Sequence, residues 1–180
     1  MTRKLILFVP LIMLVALVGF LAFGMERDRG ENGDFVPSKM IGQPIPAFDM
    51  PQAVPERPAL NTGKLANGKP RLVNLFASWC LPCAAEAPQL EALAEAGLEI
   101  DGVAVRDTPA DLADFFARYG NPYRAIGRDD AGAFQLAIGA SGLPETYLIG
   151  PDGTVLYQHI GDIRAEHVDD LIRRYREAAQ

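Results

Sequence analysis

Trp79-Cys80-Leu81-Pro82-Cys83 stands where one residue pattern gives way to another, and no other feature of the chain constrains its fold as tightly. Before it, Arg71-Leu-Val-Asn-Leu-Phe-Ala77 is a short, mostly apolar run of the kind that forms a buried strand. After it, Pro82 to Ala96 is rich in Ala, Glu, Leu and Gln, all good helix formers, and Gly97 follows in the place of a helix C-cap. A strand that feeds a helix through two cysteines leaves a thiol at a helix N-terminus. There the positive end of the helix dipole and the unpaired backbone N–H groups favour the thiolate, the form that attacks disulfides. Cys80, the first of the pair and expected to be the more exposed, reads as the nucleophile. Cys83, one turn further on, reads as the thiol that resolves the mixed disulfide. Pro82 suits the first helical turn, where its missing N–H would have no partner anyway.

Two other readings fit the same spacing. The pair could be half of a metal site, but the only histidines, His159 and His167, lie about 75 residues away with no helical or turn relation to the cysteines. A purely structural disulfide across two residues closes too short a loop to stabilise much. These are the only two cysteines, which excludes a disulfide-dense scaffold and a zinc site built from two cysteine pairs. No metal or other cofactor is expected.

Further along, Leu98 to Val105 is strand-like. Thr108-Pro109 supplies a cap and a first-turn proline for a helix whose apolar face is Leu112, Phe115, Phe116 and Tyr119, stopped by Gly120. A short strand over Arg124–Gly127 and a short helix over Asp130–Ile138 come next. Two strands, Thr146–Ile149 and Thr154–His159, are joined through Pro151-Asp152-Gly153, a turn signal. Ala165, Val168, Leu171, Ile172 and Tyr175 recur at helical spacing and make the C-terminus an amphipathic helix. Pro37 to Pro70 holds seven of the fourteen prolines and is expected to be irregular, with short strands at most. The order of elements implies an α/β fold in three layers, a central mixed β-sheet flanked by helices.

Leu5 to Met25 is a run of 21 residues without a charge. As a helix it spans roughly 31 Å, the thickness of a bilayer's hydrocarbon core, so one N-terminal transmembrane helix is expected. Arg3 and Lys4 precede it, and positive flanks stay on the cytoplasmic side. The expected organisation is a cytoplasmic N-terminus over 1–4, an anchor over 5–25, a polar spacer over 26–40 and a folded domain over 41–180. In a bacterial cell the domain then faces the periplasm. A cleaved signal peptide is the competing reading, since Ala22-Phe23-Gly24 offers small residues at a cleavage spacing, but the apolar run exceeds the usual length of a signal's core. The chain carries a formal charge of −6, and without residues 1–25, which hold two bases and no acid, the remainder carries −8. Such a domain repels nucleic acid, and no nucleic-acid partner is expected.

Asn74-Leu-Phe-Ala-Ser-Trp-Cys-Leu-Pro-Cys-Ala-Ala-Glu-Ala-Pro88 resembles the active-site stretch of membrane-anchored thioredoxin-like reductants, and Gly142-Leu-Pro-Glu-Thr-Tyr-Leu-Ile149 resembles their second landmark, a cis-proline loop facing the cysteines. With Ile41-Gly-Gln-Pro-Ile-Pro-Ala-Phe48, Gly102-Val-Ala-Val-Arg-Asp107 and Tyr157-Gln-His-Ile-Gly-Asp162, the chain is most similar to the cytochrome c biogenesis thiol:disulfide interchange proteins of the CcmG/DsbE family. The resemblance covers essentially the whole chain. It implies a thioredoxin-like fold, Cys80 as attacking and Cys83 as resolving thiol, and Pro144 as the cis proline, with the Leu143 backbone edge turned to an incoming extended peptide. Read alone, the residues leave Pro144 open between a cis bond and an ordinary trans proline in a loop. Thioredoxins keep a buried aspartate six residues before the first cysteine; here that position is Asn74, which cannot titrate. Glu86, three residues after Cys83 and so on the same side of the helix, is the replacement candidate for taking the Cys83 proton; read alone, a lone glutamate in a helix's first turns is more often solvated, and the resemblance reverses that preference. Trp79, the only tryptophan, is expected to pack over the active-site loop as a core residue and to contribute to docking. Glu145 and Thr146 are expected to shape the substrate groove beside Pro144. Pro88 is expected to kink its helix.

The residue before Cys83 is proline and not histidine, which favours a reductant over an oxidant. The resemblance implies an apocytochrome c as substrate, its haem-binding Cys-x-x-Cys-His needing reduction, a transmembrane thiol reductase of the DsbD or CcdA type as electron donor, and the cytochrome c maturation machinery as setting. A broader periplasmic reductant or an oxidase of the same fold, and a non-catalytic metal or haem chaperone using both cysteines as ligands, are the alternative functions.

Overall fold

The computed structural model describes residues 13–14, 16–20 and 38–180. Of the apolar run at the N-terminus, residues 13–14 and 16–20 are helical, and the rest of the expected anchor and most of the spacer lie outside the described residues. Among the described residues no helix is long and apolar enough to cross a membrane. Ser38, placed in the spacer by its sequence, is buried and donates through Oγ to the carbonyl of Ile138 at 2.5 Å, so the folded unit already includes it.

In chain order the elements are β1 (Asp49–Met50), β2 (Leu60–Asn61), α1 (Thr62–Leu65), β3 (Arg71–Phe76), α2 (Leu81–Glu95), β4 (Ile100–Val105), α3 (Pro109–Tyr119), β5 (Ile126–Asp129), α4 (Ala133–Ala137), β6 (Glu145–Ile149), β7 (Val155–Ile160) and α5 (Ala165–Ala178). β1 and β2 form a small antiparallel pair. The other five strands make one sheet in the order β5-β4-β3-β6-β7. β3 pairs parallel with β4 and antiparallel with β6, which places Asn74 beside Gly102 on one side and Thr146 on the other. Every residue of β3 is buried, as a central strand covered on both faces requires.

Alternation along the strands divides the core. Leu72 and Phe76 of β3, Ile100 and Ala104 of β4 and Leu148 of β6 face the layer of α2, α3 and α5. Val73, Leu75, Val103, Tyr147 and Ile149 face the other layer, with Leu60, Leu65 of α1 and Phe134 of α4. Asn74, Gly102 and Thr146 share the pleat of the first set, so two polar side chains and a glycine lie in the middle of the sheet, under the helix that carries the cysteines.

Local signals fix the helix ends. α3 starts after Thr108, whose side chain accepts from Asp111 N, and stops at Gly120 with φ 86°. α2 runs through Pro88 and gives way at Gly97, where φ is 90°. α4 covers only Ala133–Ala137 of the expected 130–138, because Asp129 accepts from Ala133 N at 2.8 Å and Gln135 N at 2.9 Å and sets the first turn there. β5 lies two residues beyond the span expected for it, where Gly102 pairs with Ile126.

Candidate active site

The loop from β3 into α2 is fastened to the end of β4. Ser78 donates to Asp107 twice, from its backbone N to Oδ2 at 2.6 Å and from Oγ to Oδ1 at 2.8 Å. Trp79 follows and donates from Nε1 to the carbonyl of Arg106 at 3.2 Å, a residue held at φ 50°. The indole is otherwise 63% exposed, which corrects the expectation that Trp79 is a core residue. Its N–H is tethered to the end of β4 while most of the side chain is exposed beside Cys80.

Cys80 caps α2 in an extended conformation, and its Sγ accepts from Cys83 N at 3.2 Å. No acidic residue occupies the first turn of α2, so nothing there opposes the positive end of the helix dipole beside Cys80. The two sulfurs are bonded at 2.04 Å, and the structure represents the oxidised state. Cys80 is 5% exposed and Cys83 2%, so Cys80 is the more accessible by a small margin.

Glu86 is wholly buried. Its Oε1 accepts from Asn74 Nδ2 at 2.9 Å and its Oε2 from the backbone N of Ile163 at 2.9 Å. Burial raises its pKa from 4.5 to about 7, against the two donors, which favour the charge; the nearby Asp162 adds a smaller push upward. A carboxyl on the Cys83 side of α2 that titrates near neutrality can accept and return a proton at working pH.

The Leu143–Pro144 peptide bond is cis. Leu143, half-buried, lines a depression of about 360 Å³ with Trp79, Cys80, Pro82 and Arg106. A second, larger depression of about 490 Å³ also touches Cys80 and is bordered by Trp79, Asp111, Asp114 and Tyr119. Trp79, Cys80 and Leu81 line both depressions. Glu145 and Thr146, expected to border this groove, are buried beneath it at 0% and 1% exposure and offer no surface to a substrate. Glu145 Oε1 accepts from Ser141 N, Ser141 Oγ and Gly142 N at 2.7, 2.7 and 3.0 Å, and its Oε2 from Tyr147 OH and Gln158 Nε2, each at 2.7 Å. Glu145 thus braces the proline loop from below. Thr146 Oγ1 accepts from Asn74 Nδ2 at 3.0 Å.

Tyr123, Asp107, Gln158 and Ile163 belong to the site's framework and carry no local signature. The one trace of Tyr123 is Gly102: a Cβ there would lie 2.9 Å from Phe76 Cε1 and 3.1 Å from Tyr123 Cγ, so the glycine makes room for the phenol. His159 and His167 face each other, ring centroids 4.5 Å apart, away from the cysteines in sequence and bonded to Asp162 O and Arg164 N.

A family model described as Redoxin matches residues 40–172. The thiol:disulfide interchange protein DsbE of Tatumella citrea is 33% identical over 183 residues, 99% of each chain. DsbE of Escherichia coli K12 is 32% identical over 186 residues, all of both chains, and HelX of Rhodobacter capsulatus is 33% identical over 173 residues, 94% of this chain and 96% of the other. Among solved structures, a thioredoxin-family thiol:disulfide interchange protein from Chlorobium tepidum superposes with a TM-score of 0.60 at 20% identity, over 79% of this chain and 98% of its own. A secreted Mycobacterium tuberculosis disulfide oxidoreductase does so with a TM-score of 0.60 at 22% identity, over 73% and 96%. The structures establish the thioredoxin-like fold, and identity sustained along nearly whole chains places this protein in the DsbE, or CcmG, family of thiol:disulfide interchange proteins, with dithiol–disulfide exchange as its chemistry.

Proposed function

We propose that this protein is a membrane-anchored periplasmic reductant that acts on the haem-binding cysteines of an apocytochrome c. Leu5–Met25 serves as the anchor, Arg3 and Lys4 hold the N-terminus in the cytoplasm, and the domain works on the far side. The Cys80 thiolate attacks a substrate disulfide, forming a mixed disulfide and expelling one substrate thiolate, which takes up a proton. Cys83 gives its proton to Glu86 and attacks Cys80 Sγ, which breaks the mixed disulfide, forms Cys80–Cys83 and releases the second substrate thiolate. Two electrons pass to the substrate, and a membrane thiol reductase of the DsbD or CcdA type returns two to Cys80–Cys83. The observation that carries the resolving step is the buried Glu86, poised near neutral pH on the same side of α2 as Cys83.

Trapping tests the substrate. Cys83→Ser, expressed in the native host, holds its substrate on Cys80, and an apocytochrome c is the expected catch. A collection of unrelated periplasmic proteins would instead indicate a broad reductant. A reduction potential near the −120 mV of a strong oxidant would exclude the reductive direction.

A further inference from the structure

We infer that Tyr123 is a positioning residue for the resolving step: its hydroxyl decides which end of the Asn74 amide faces Glu86, and so how readily Glu86 takes the Cys83 proton. The inference rests on Glu86 being that acceptor.

Asn74 is completely buried, and its amide has two ends of nearly equal shape and opposite polarity. Tyr123 OH donates to Oδ1 at 2.7 Å, which leaves Nδ2 to donate to Glu86 Oε1 at 2.9 Å and Thr146 Oγ1 at 3.0 Å. In this orientation the amide offers Glu86 a donor, which favours the carboxylate. Turned over, it would offer an oxygen, which bonds the protonated acid and repels the charged one. Among the described residues, Tyr123 alone donates to Asn74 Oδ1. Tyr123 is well placed for that task, since burial raises its pKa far above the usual phenol value and keeps it a donor. Its ring is held by stacking on Phe76 at 4.8 Å and by the edge of Phe116 at 6.0 Å, in the space that Gly102 leaves open.

The other groups around Glu86 do not depend on Tyr123. Ile163 N donates from the turn before α5, Asp162 in that turn adds negative charge, and Cys83 lies on the same helix. The charges of Glu86 and, less, Glu91 of α2 act on Tyr123 and help keep it protonated, and a neutral phenol returns no charge to Glu86. Loss of the phenol hydroxyl therefore changes what Glu86 meets through Asn74 alone.

Tyr123→Phe in the full chain tests this. Glu86 is followed by carbon NMR titration in the oxidised protein, and the pH profile of the resolving step is measured from a mixed disulfide on Cys80. The Glu86 midpoint is expected to rise by about one pH unit, and the profile to move by the same amount, as loss of a hydrogen bond to a charged group implies. On an Asn74→Leu background the same substitution is expected to produce no further shift. An unmoved midpoint in Tyr123→Phe, with stability alone reduced, would overturn the inference and leave Glu86 as acceptor untouched. An equal shift with and without Asn74 would also overturn it. A shifted midpoint with an unmoved kinetic profile would remove Glu86 from the resolving step, and the proton-acceptor reading would fall with it.

Discussion

Asn74 Nδ2 lies 2.9 Å from Glu86 Oε1, joining the central strand to the cysteine-bearing helix through a single buried bond. An amide occupies the strand position where thioredoxins hold an aspartate, and the carboxylate has moved onto the helix, to the side that carries Cys83. One buried charge is thereby retained at the site, where two facing carboxyls would repel each other. The consequences are measurable.

Glu86→Gln keeps the shape of the side chain and removes the proton acceptor. Formation of the mixed disulfide at Cys80 is expected at nearly the wild-type rate, and its resolution to be slower by about 100-fold at pH 7. Stopped-flow kinetics with a disulfide peptide separates the two steps. Unchanged resolution would exclude the role.

The same carboxyl makes stability depend on pH. Its folded-state pKa, about 7, lies above the unfolded value of 4.5, so the native state binds the proton more tightly. The stabilisation is fully present below pH 4.5 and is lost as pH rises through about 7, by about 3 kcal/mol in all. Urea denaturation of the oxidised protein at several pH values is expected to show this decline in wild type relative to Glu86→Gln. Asp101, also raised, to about 6, contributes equally to both proteins and cancels in the difference.

Gly102→Ala places a methyl group 2.9 Å from Phe76 and 3.1 Å from Tyr123, where both rings are packed. A cost of about 1–3 kcal/mol is expected, as for other overpacked cores. Since the displaced ring is the one bonded to Asn74, the Glu86 titration midpoint should move in the same variant.

Asp107→Ala frees the loop ahead of Cys80 by leaving Ser78 N and Oγ without their acceptor. A loss of about 2 kcal/mol is expected from calorimetry, in the range for hydrogen bonds to a charged group. Trp79→Phe is expected to change stability by less than about 1 kcal/mol, since the ring is mostly exposed, and to raise KM for a protein substrate while leaving small disulfides unaffected.

Much of this arrangement is legible in the chain because it is local. Thr108, Pro109 and Gly120 bound α3 by contacts within a few residues of themselves, and the strand-to-helix junction at Cys80 is visible from residue types alone. The three-residue spacing puts Glu86 on the Cys83 side of the helix, but only the family resemblance favours a buried acceptor there over a solvated glutamate. Tyr123 cannot be proposed from the sequence, because its partner Asn74 is 49 residues away and the two meet only after β3 and β4 pair. Trp79 misleads for a related reason: its size suggests burial, whereas the bond from its indole N–H to Arg106 O fixes it at the rim. The span of β5 shifts because pairing with β4, and not the apolar residues around Ala125, sets its register.

The disulfide between the chain's only two cysteines also turns the molecule into its own gauge. Each chain can hold two electrons or none in its sulfurs, with no third thiol to blur the count. A maleimide added to denatured, acid-quenched cells marks a chain twice when it was charged and never when it was spent. The ratio of the two masses reports, chain by chain, how far the supply of electrons keeps pace with their use.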